Sequence, residues 1–342
     1  VKPYLEKHYA VASDRADLYC YFFELGVRLL KPGGRLGYIS SSTFFKTGSG
    51  APLRRYLLDN TQIQALVDFG DLQVFEGVTT YPAIIVLERR EKPNPATEIR
   101  QLALKTLPDP SLAAVFGQQA GGLPQARLGA GSWQLENDAS ASLRQKLVSG
   151  HPTLKDIYGS PCRGVVSGFN DAFVVDRSKR DALIAADANS AELLKPFLEG
   201  KDLKKWRSEP QDLWLIYIPK GRIDIDDYPA VRDHLLPYRD KLEKRATRQA
   251  WFELQQAQAA YVPMMEAPKI IYGHFSPRAL FSREPKGYFS NDKSYFIPGG
   301  DWFLLGLLNS KLYWWQIQSL CPFVRGGFYE VRVQYIGTLP IP

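Results

Sequence analysis

The sequence is poor in the residues that staple or metallate small folds: its 342 positions hold three cysteines and four histidines. Cys20, Cys162 and Cys321 are too scattered for a disulfide framework, and the histidines show no metal-ligand spacing. A reducing, cytoplasmic setting is therefore expected. No stretch approaches the roughly eighteen unbroken apolar residues of a membrane span, so no membrane partner is expected. Also missing are a Walker A run, a Gly-x-Ser-x-Gly elbow, a His-Glu-x-x-His helix and a Cys-x-x-Cys pair. Charge is not extreme either: 43 Lys and Arg against 36 Asp and Glu leave +7, shared by both halves of the chain. The first residue is Val1, with neither an initiator methionine nor a signal peptide after it, which suggests a piece of a longer protein.

What is present is an ordinary globular composition, 45% hydrophobic and 13% aromatic. Leu18, Phe22, Leu25 and Leu29 recur at helical spacing behind Ser13, which predicts an amphipathic helix over 13–30, ended by Pro32, Gly33 and Gly34. A strand is expected over 35–40, a Ser/Thr/Gly-rich loop over 41–50, a helix over 52–59 and strands over 63–69 and 81–88, with a turn at 71–80 between the last two. This order is the ending of an α/β sheet whose beginning is missing. Residues 91–132, rich in Pro, Gly and Gln, read as a connecting segment with at most one strand and one short helix. Beyond 133 the pattern is mixed, and an α+β arrangement is expected. Helices are predicted at 139–148, 179–185, 191–198, 230–245 and 302–317, with strands at 173–175, 214–218, 269–272 and 294–297.

Few residues announce chemistry by themselves. Gly33-Gly34 follows a helix and precedes a strand, the reverse of the order that cradles phosphate, so a helix cap is the better account. Asp17 and Glu24 share a helix face and could form an acid/base pair; a dipole-favourable Asp and a solvated Glu explain them more simply. Asp68 and Asp71 flank a strand end, where either a ligand or a turn uses them. Phe75 stands in a loop between two strands, where an aromatic either packs beneath its own loop or meets a ligand. In the second half, 163–171 joins Arg163 and Asn170 to three small flexible positions, and 325–332 joins Arg325 and Arg332 to glycines and aromatics. Arginine beside amides and rings suits phosphate contact and bidentate reading of base edges, although turn chemistry alone would place the same glycines. Lys201, Lys204, Lys205 and Arg207 cluster around Trp206, and Lys241, Lys244, Arg245 and Arg248 punctuate the helix predicted over 230–245; solvated faces account for most such runs. Trp314 and Trp315 read as core residues.

The order of segments carries a resemblance. Asp17-Leu18-Tyr19-Cys20-Tyr21-Phe22-Phe23-Glu24, then Leu29-Leu30-Lys31-Pro32-Gly33-Gly34-Arg35-Leu36-Gly37-Tyr38-Ile39, then Ser42-Thr43-Phe44-Phe45, resembles the adenine-specific DNA methyltransferases of restriction–modification systems, in the piece just after their Asn-Pro-Pro-Tyr loop. Val67-Asp68-Phe69-Gly70-Asp71, Val74-Phe75-Glu76-Gly77-Val78-Thr79-Thr80 and Ala83-Ile84-Ile85-Val86-Leu87 look like the last strands of the same domain. Gly168-Phe169-Asn170-Asp171-Ala172-Phe173, Leu194-Lys195-Pro196-Phe197-Leu198, Pro268-Lys269-Ile270-Ile271-Tyr272, Leu305-Gly306-Leu307-Leu308-Asn309-Ser310-Lys311 and Leu339-Pro340-Ile341-Pro342 resemble the target-recognition domain of the long type IIG-like enzymes.

The resemblance implies the C-terminal part of a Rossmann-like methyltransferase sheet (1–90), the connecting segment (91–132) and an α+β target-recognition domain (133–342). It implies double-stranded DNA as partner, together with a missing N-terminal region of the same protein. The parent would transfer a methyl group from S-adenosylmethionine to a flipped adenine. This chain lacks the family's glycine-bearing donor loop and its Asn-Pro-Pro-Tyr; Asn94-Pro95 runs on into Ala96. No cofactor is therefore expected to bind the chain alone, no catalytic residue is assigned, and it is expected to be inactive by itself. A free-standing, non-catalytic DNA-specificity subunit is the alternative. By position, Phe75 is the ring expected to stack on the flipped base. Arg163, Asn170, Arg325 and Arg332 are expected at the DNA, with Lys204 and Lys205 on its backbone.

Overall fold

A computed structural model describes residues 1–78, 80–129, 131–133, 135, 138–324 and 326–342. The chain divides into two compact units, Val1–Ser149 with Gln318–Tyr329, and Gly150–Ile317 with Glu330–Pro342.

The first unit begins with α1 (Lys2–His8), α2 (Leu18–Leu29), β1 (Arg35–Ser41), α3 (Ala51–Asn60), β2 (Thr61–Asp68) and β3 (Pro82–Arg89). Then follow β4 (Glu98–Ala103), α4 (Leu112–Gln119) and β5 (Gly121–Pro124), so the segment 91–132 carries two strands rather than one. All five strands form one sheet in the order β1-β3-β2-β4-β5. β3 is antiparallel to both neighbours, with Gly37 opposite Val86 and Val67 opposite Ile84, while β4 lies parallel to β2. The apolar run of β3 suits this interior position, and Ala83, Ile85 and Leu87 are buried. β1 is an edge strand. Phe23, Phe44, Leu53, Leu66, Ile85 and Trp133 belong to the core of this unit.

Three expectations about α2 are overturned. Its N-cap is Asp17, whose carboxylate accepts from the Leu18 amide at 2.6 Å, not Ser13. The buried face is Cys20, Tyr21, Phe23, Glu24 and Val27. The stripe Leu18, Phe22, Leu25 and Leu29 faces outward, with Leu29 76% exposed. The helix is apolar around most of its circumference, so periodicity finds a helix without saying which side meets the sheet. Glu24 is not solvated: it is fully buried. It accepts from the amides of Ala10 (3.1 Å) and Val11 (2.9 Å) and pairs with Arg28. A buried carboxylate so supplied is a structural clamp on the preceding loop. Gly33, at a φ of +77°, makes the turn from α2 into β1, which suits glycine.

The second unit contains β6 (Cys162–Arg163), β7 (Val174–Asp176), β8 (Leu194–Leu198), β9 (Trp206–Arg207), β10 (Leu213–Ile216), β11 (Lys269–Gly273), β12 (Phe275–Ser276), β13 (Phe281–Glu284), β14 (Phe289–Ser290) and β15 (Ser294–Pro298). One sheet has the order β14-β8-β10-β7 and another β6-β15-β11-β13-β9. Their shared core includes Phe173, Phe197, Leu215, Ile216, Ile271 and Phe296. The helix expected over 191–198 is a 3-10 turn, Ala188–Leu193, followed by β8. Pro196 cannot donate to a helical ladder, and Leu194–Leu198 instead pairs with β10. The helix expected over 230–245 is broken at Leu236–Tyr238, where Pro237 sits, and that over 302–317 is split into Trp302–Leu308 and Lys311–Leu320. Arg245 is not a solvated charge, for it donates to the carbonyls of Ser167 (2.8 Å), Leu242 (2.8 Å) and Trp251 (2.9 Å). The fold is thus α/β followed by α+β.

Candidate nucleic-acid interface

In the first unit, β2 and β3 are joined by a loop over 69–81 that carries Phe75. Its roots are held by backbone and side chain together. Phe69 donates to Pro82 at 3.0 Å, and Tyr81 accepts from the Ser42 amide at 2.6 Å. The Asp68 carboxylate accepts from the Gly70 amide at 3.0 Å. Inside the loop, the Gln73 side-chain amide donates to the carbonyls of Phe75 (2.8 Å) and Val78 (3.3 Å). This closes the turn around Phe75, whose ring is left 43% exposed. Packing beneath its own loop therefore does not account for Phe75.

Below the loop lies a pocket of about 90 Å³ lined by Thr43, Lys46, Asp68, Gly70, Tyr81 and Phe323, among others. Burial pushes the Asp68 carboxyl up, and the Gly70 amide, Lys46 and Ser42 pull it back. Burial likewise pushes the Lys46 ammonium down, with Asp68 opposing. Asp68 is thus a loop anchor with Lys46 as its counter-charge. Among the described residues no cluster of His, Cys, Asp and Glu could hold a metal ion.

In the second unit, the sheet β6-β15-β11-β13-β9 separates the expected contact residues into two groups. At the β6 edge, Arg163 stands opposite Tyr295 and pairs with Asp292 at 2.9 Å. A Cβ on the adjacent Gly164 would run into the carbonyls of Ser290 and Asn291, so glycine lets β6 approach this turn. Arg332 pairs with Glu330, which also meets the His274 ring nitrogen at 3.1 Å. Burial raises the Tyr295 phenol while Arg163 and Arg332 oppose it and Glu330 and Asp292 add to it. Arg163 and Arg332, far apart in sequence, are thus gathered around one tyrosine. Beside them His274 stacks on Phe275, ring centroids 4.3 Å apart and planes 19° apart. Burial lowers the His274 pKa against the pull of Glu330.

At the opposite edge lie Lys204 and Lys205. The Lys204 ammonium donates to the Lys201 carbonyl at 2.7 Å, and Lys205 sits 5.2 Å from the ring of Trp206. Trp206 is exposed and has a φ of +80°, a conformation that bulky residues rarely adopt. Nearby on this sheet, Arg283 lies 4.9 Å over the exposed ring of Trp302. Asn170 joins neither group; it opens the one-turn helix Asn170–Phe173 and accepts from the Ser167 hydroxyl. Arg325 lies outside the described residues. Sequence reasoning passed over Phe275, Tyr295 and Arg283, which occupy strands, and His274, which stands in the bend between β11 and β12; none has a local signature. Trp206 was visible at the centre of its basic cluster.

Comparison with known proteins matches two separate stretches of the chain to two different families. Residues 1–75 match the Eco57I restriction-modification methylase family, and residues 195–341 match the TaqI-like C-terminal specificity domain. The type II methyltransferase M.XhoI of Xanthomonas vasicola is 26% identical over 96% of this chain and 62% of its own length. M.PaeR7I of Pseudomonas aeruginosa is 26% identical over 98% of this chain and 60% of its own. The chain thus spans about three fifths of these relatives. Among solved structures, the type IIL restriction-modification enzyme MmeI, determined in complex with DNA, superposes with a TM-score of 0.60 at 12% identity, covering 95% of this chain and 41% of that one. At that identity the likeness is one of fold. The chain is thus similar to a restriction–modification methylase over residues 1–75 and to a TaqI-like specificity domain over residues 195–341.

Proposed function

We propose that this chain is the DNA-recognition and target-positioning part of an adenine-specific DNA methyltransferase of a restriction–modification system. The observation that carries the reading is the Phe75 ring, half exposed on a loop whose backbone is pinned at both roots and braced by Gln73. A base drawn out of a duplex loses its stacking, and an aromatic face placed in advance restores about 1–3 kcal/mol of it. Under this reading Arg163 and Arg332 contact DNA from the Tyr295 edge, and Lys204 and Lys205 hold backbone phosphates from the Trp206 edge. Asn170 and Arg325 remain proposed contacts on the strength of the resemblance. The domain limits proposed are 1–90, 91–132 and 133–342.

S-adenosylmethionine would supply the methyl group in the parent protein. The residues of this chain do not fit a donor site. The Gly33 and Gly34 amides already donate to Arg89 (2.9 Å) and Lys31 (2.8 Å). Nor does Asn94 replace the family's asparagine, because its side chain accepts from the Ala96 amide at 3.0 Å in a local turn. The edge strand β1 and the uncovered apolar stripe of α2 support an N-terminal region packed there, and large exposed apolar patches mark interaction surfaces. A free-standing specificity subunit leaves the methylase match over residues 1–75 without a purpose.

The test is Phe75→Ala in the full-length protein, with fluorescence read on a duplex carrying 2-aminopurine at the target position and methylation read on the same duplex with adenine there. The fluorescence rise on binding and the methylation rate should both fall by one to two orders of magnitude, in line with about 1–3 kcal/mol of stacking. Unchanged fluorescence and unchanged methylation would overturn the assignment.

A further inference from the structure

One segment sits away from its sequence neighbours. Residues 318–329 fall inside the specificity-domain match but pack with the first unit. There β16 (Phe323–Val324) pairs with β17 (Phe328–Glu330), Phe323 opposite Tyr329 and Val324 opposite Phe328. The hairpin is braced from its own side. The Phe323 and Tyr329 rings lie 4.7 Å apart, Gln318 donates to the Tyr329 hydroxyl at 3.2 Å, and Arg144 donates to Ser319 at 2.7 Å.

Its other side faces the Phe75 loop. Pro322 and Phe323 line the pocket whose wall includes Gly70, where the loop leaves β2, and Tyr81, where it returns to β3. Gly326 lines a neighbouring pocket with Asp71, Gln73, Val78 and Tyr81. Both roots of the loop, and the Gln73 that braces its turn, therefore share cavity walls with the hairpin. Among the described residues the loop is also restrained by hydrogen bonds at Asp68, Phe69, Leu72, Gln73, Val74 and Tyr81, and Gly70 and Gly77 both take positive φ, so what abuts the loop adds to its placement.

We propose that the 318–329 hairpin is a positioning element for the base-stacking loop, with Phe323 as its principal contact. Both chain ends of the hairpin run on into the second unit. The positioning role rests on the reading of Phe75 as the stacking ring. Phe323 acts through the loop and touches no reacting atom.

The experiment uses the full-length protein and its own methylation-site duplex with 2-aminopurine in place of the target adenine. Phe323→Ala, Phe323→Tyr and Phe75→Ala are compared at saturating protein, alongside duplex affinity and, on the duplex with adenine at the target, kcat. Phe323→Ala should lower the fluorescence rise and kcat about fivefold while leaving duplex affinity within about twofold, and Phe323→Tyr should restore both. Should Phe323→Ala lose its circular-dichroism signature, Phe323→Leu takes its place with the same expected split. Unchanged fluorescence, or a loss of affinity with normal fluorescence at saturation, would overturn the hairpin's role. If Phe75→Ala abolishes the signal and the Phe323 variants do not alter it, only the hairpin inference fails. If Phe75→Ala leaves the signal intact, the base-stacking reading fails with it.

Discussion

Each unit holds a placement that costs free energy, and the two differ in how that cost is offset. The second buries a lysine and a glutamate side by side, Lys269 and Glu284 at 2.6 Å with both side chains 1% exposed. The first leaves four large apolar side chains of α2 in solvent, at Leu18, Phe22, Leu25 and Leu29. Each arrangement is costly unless something compensates. In the second unit the compensation is internal: Lys269 also donates to Met265, and Glu284 accepts from the Gly287 and Tyr288 amides at 3.1 Å each. For the α2 stripe no covering segment is found among the described residues, which points to a surface completed by further protein.

The largest effect that would test this contrast is removal of one partner of the buried pair. Glu284→Ala should destabilise the chain by about 3–5 kcal/mol, because the Lys269 charge is left uncompensated. Urea unfolding measures it, and replacing both members with Met and Leu should recover most of the loss. Next comes the α2 stripe, where the prediction is a difference between two proteins. Phe22→Ser should leave this chain's unfolding midpoint nearly unchanged but destabilise the full-length protein by about 1.5–3 kcal/mol, the contribution of a buried ring. Equal effects in both would remove the argument for a covered face.

A smaller effect concerns the two edges proposed to contact DNA. Arg163→Ala and Arg332→Ala should each weaken specific duplex binding by about 1–3 kcal/mol if they read bases. Lys204→Ala and Lys205→Ala should instead reduce the slope of log affinity against log salt by about one each. Titrations across salt concentrations separate the two classes, and identical behaviour at both edges would erase the proposed division of labour. The smallest effect is a pH dependence. The folded-state pKa of His274 is held below its usual 6.5, by burial first and with Glu330 opposing. The unfolded chain therefore binds more protons just below pH 6.5, so stability falls as pH is lowered through that window. His274→Gln should flatten that slope in thermal melts followed between pH 5 and 7.

Much of the first unit was legible because its signals are local. The alternation of helix and strand, the Gly33 turn and the loop carrying Phe75 follow from periodicity and turn chemistry over a few residues. The inner position of Ala83-Ile84-Ile85-Val86-Leu87 follows from an unbroken apolar run. The misreadings have physical causes. Residues 194–198 contain leucines that suit a helix as well as a strand, and pairing with β10 decided between them. Glu24 has a charged side chain that composition assigns to solvent, whereas two backbone amides and Arg28 make burial tolerable. β5 went unseen because Gly121-Gly122-Leu123-Pro124 has little strand propensity and exists by pairing with β4.

By itself the sequence determined most elements of the first unit, their order, and the presence of an aromatic residue in the β2–β3 loop, since each depends on neighbours along the chain. Tertiary structure alone decided which face of α2 is buried, that Arg163 stands opposite Tyr295, and that the 318–329 hairpin shares cavity walls with the loop of Phe75. Those outcomes depend on contacts between residues far apart in the chain, for which spacing and local composition carry no signal.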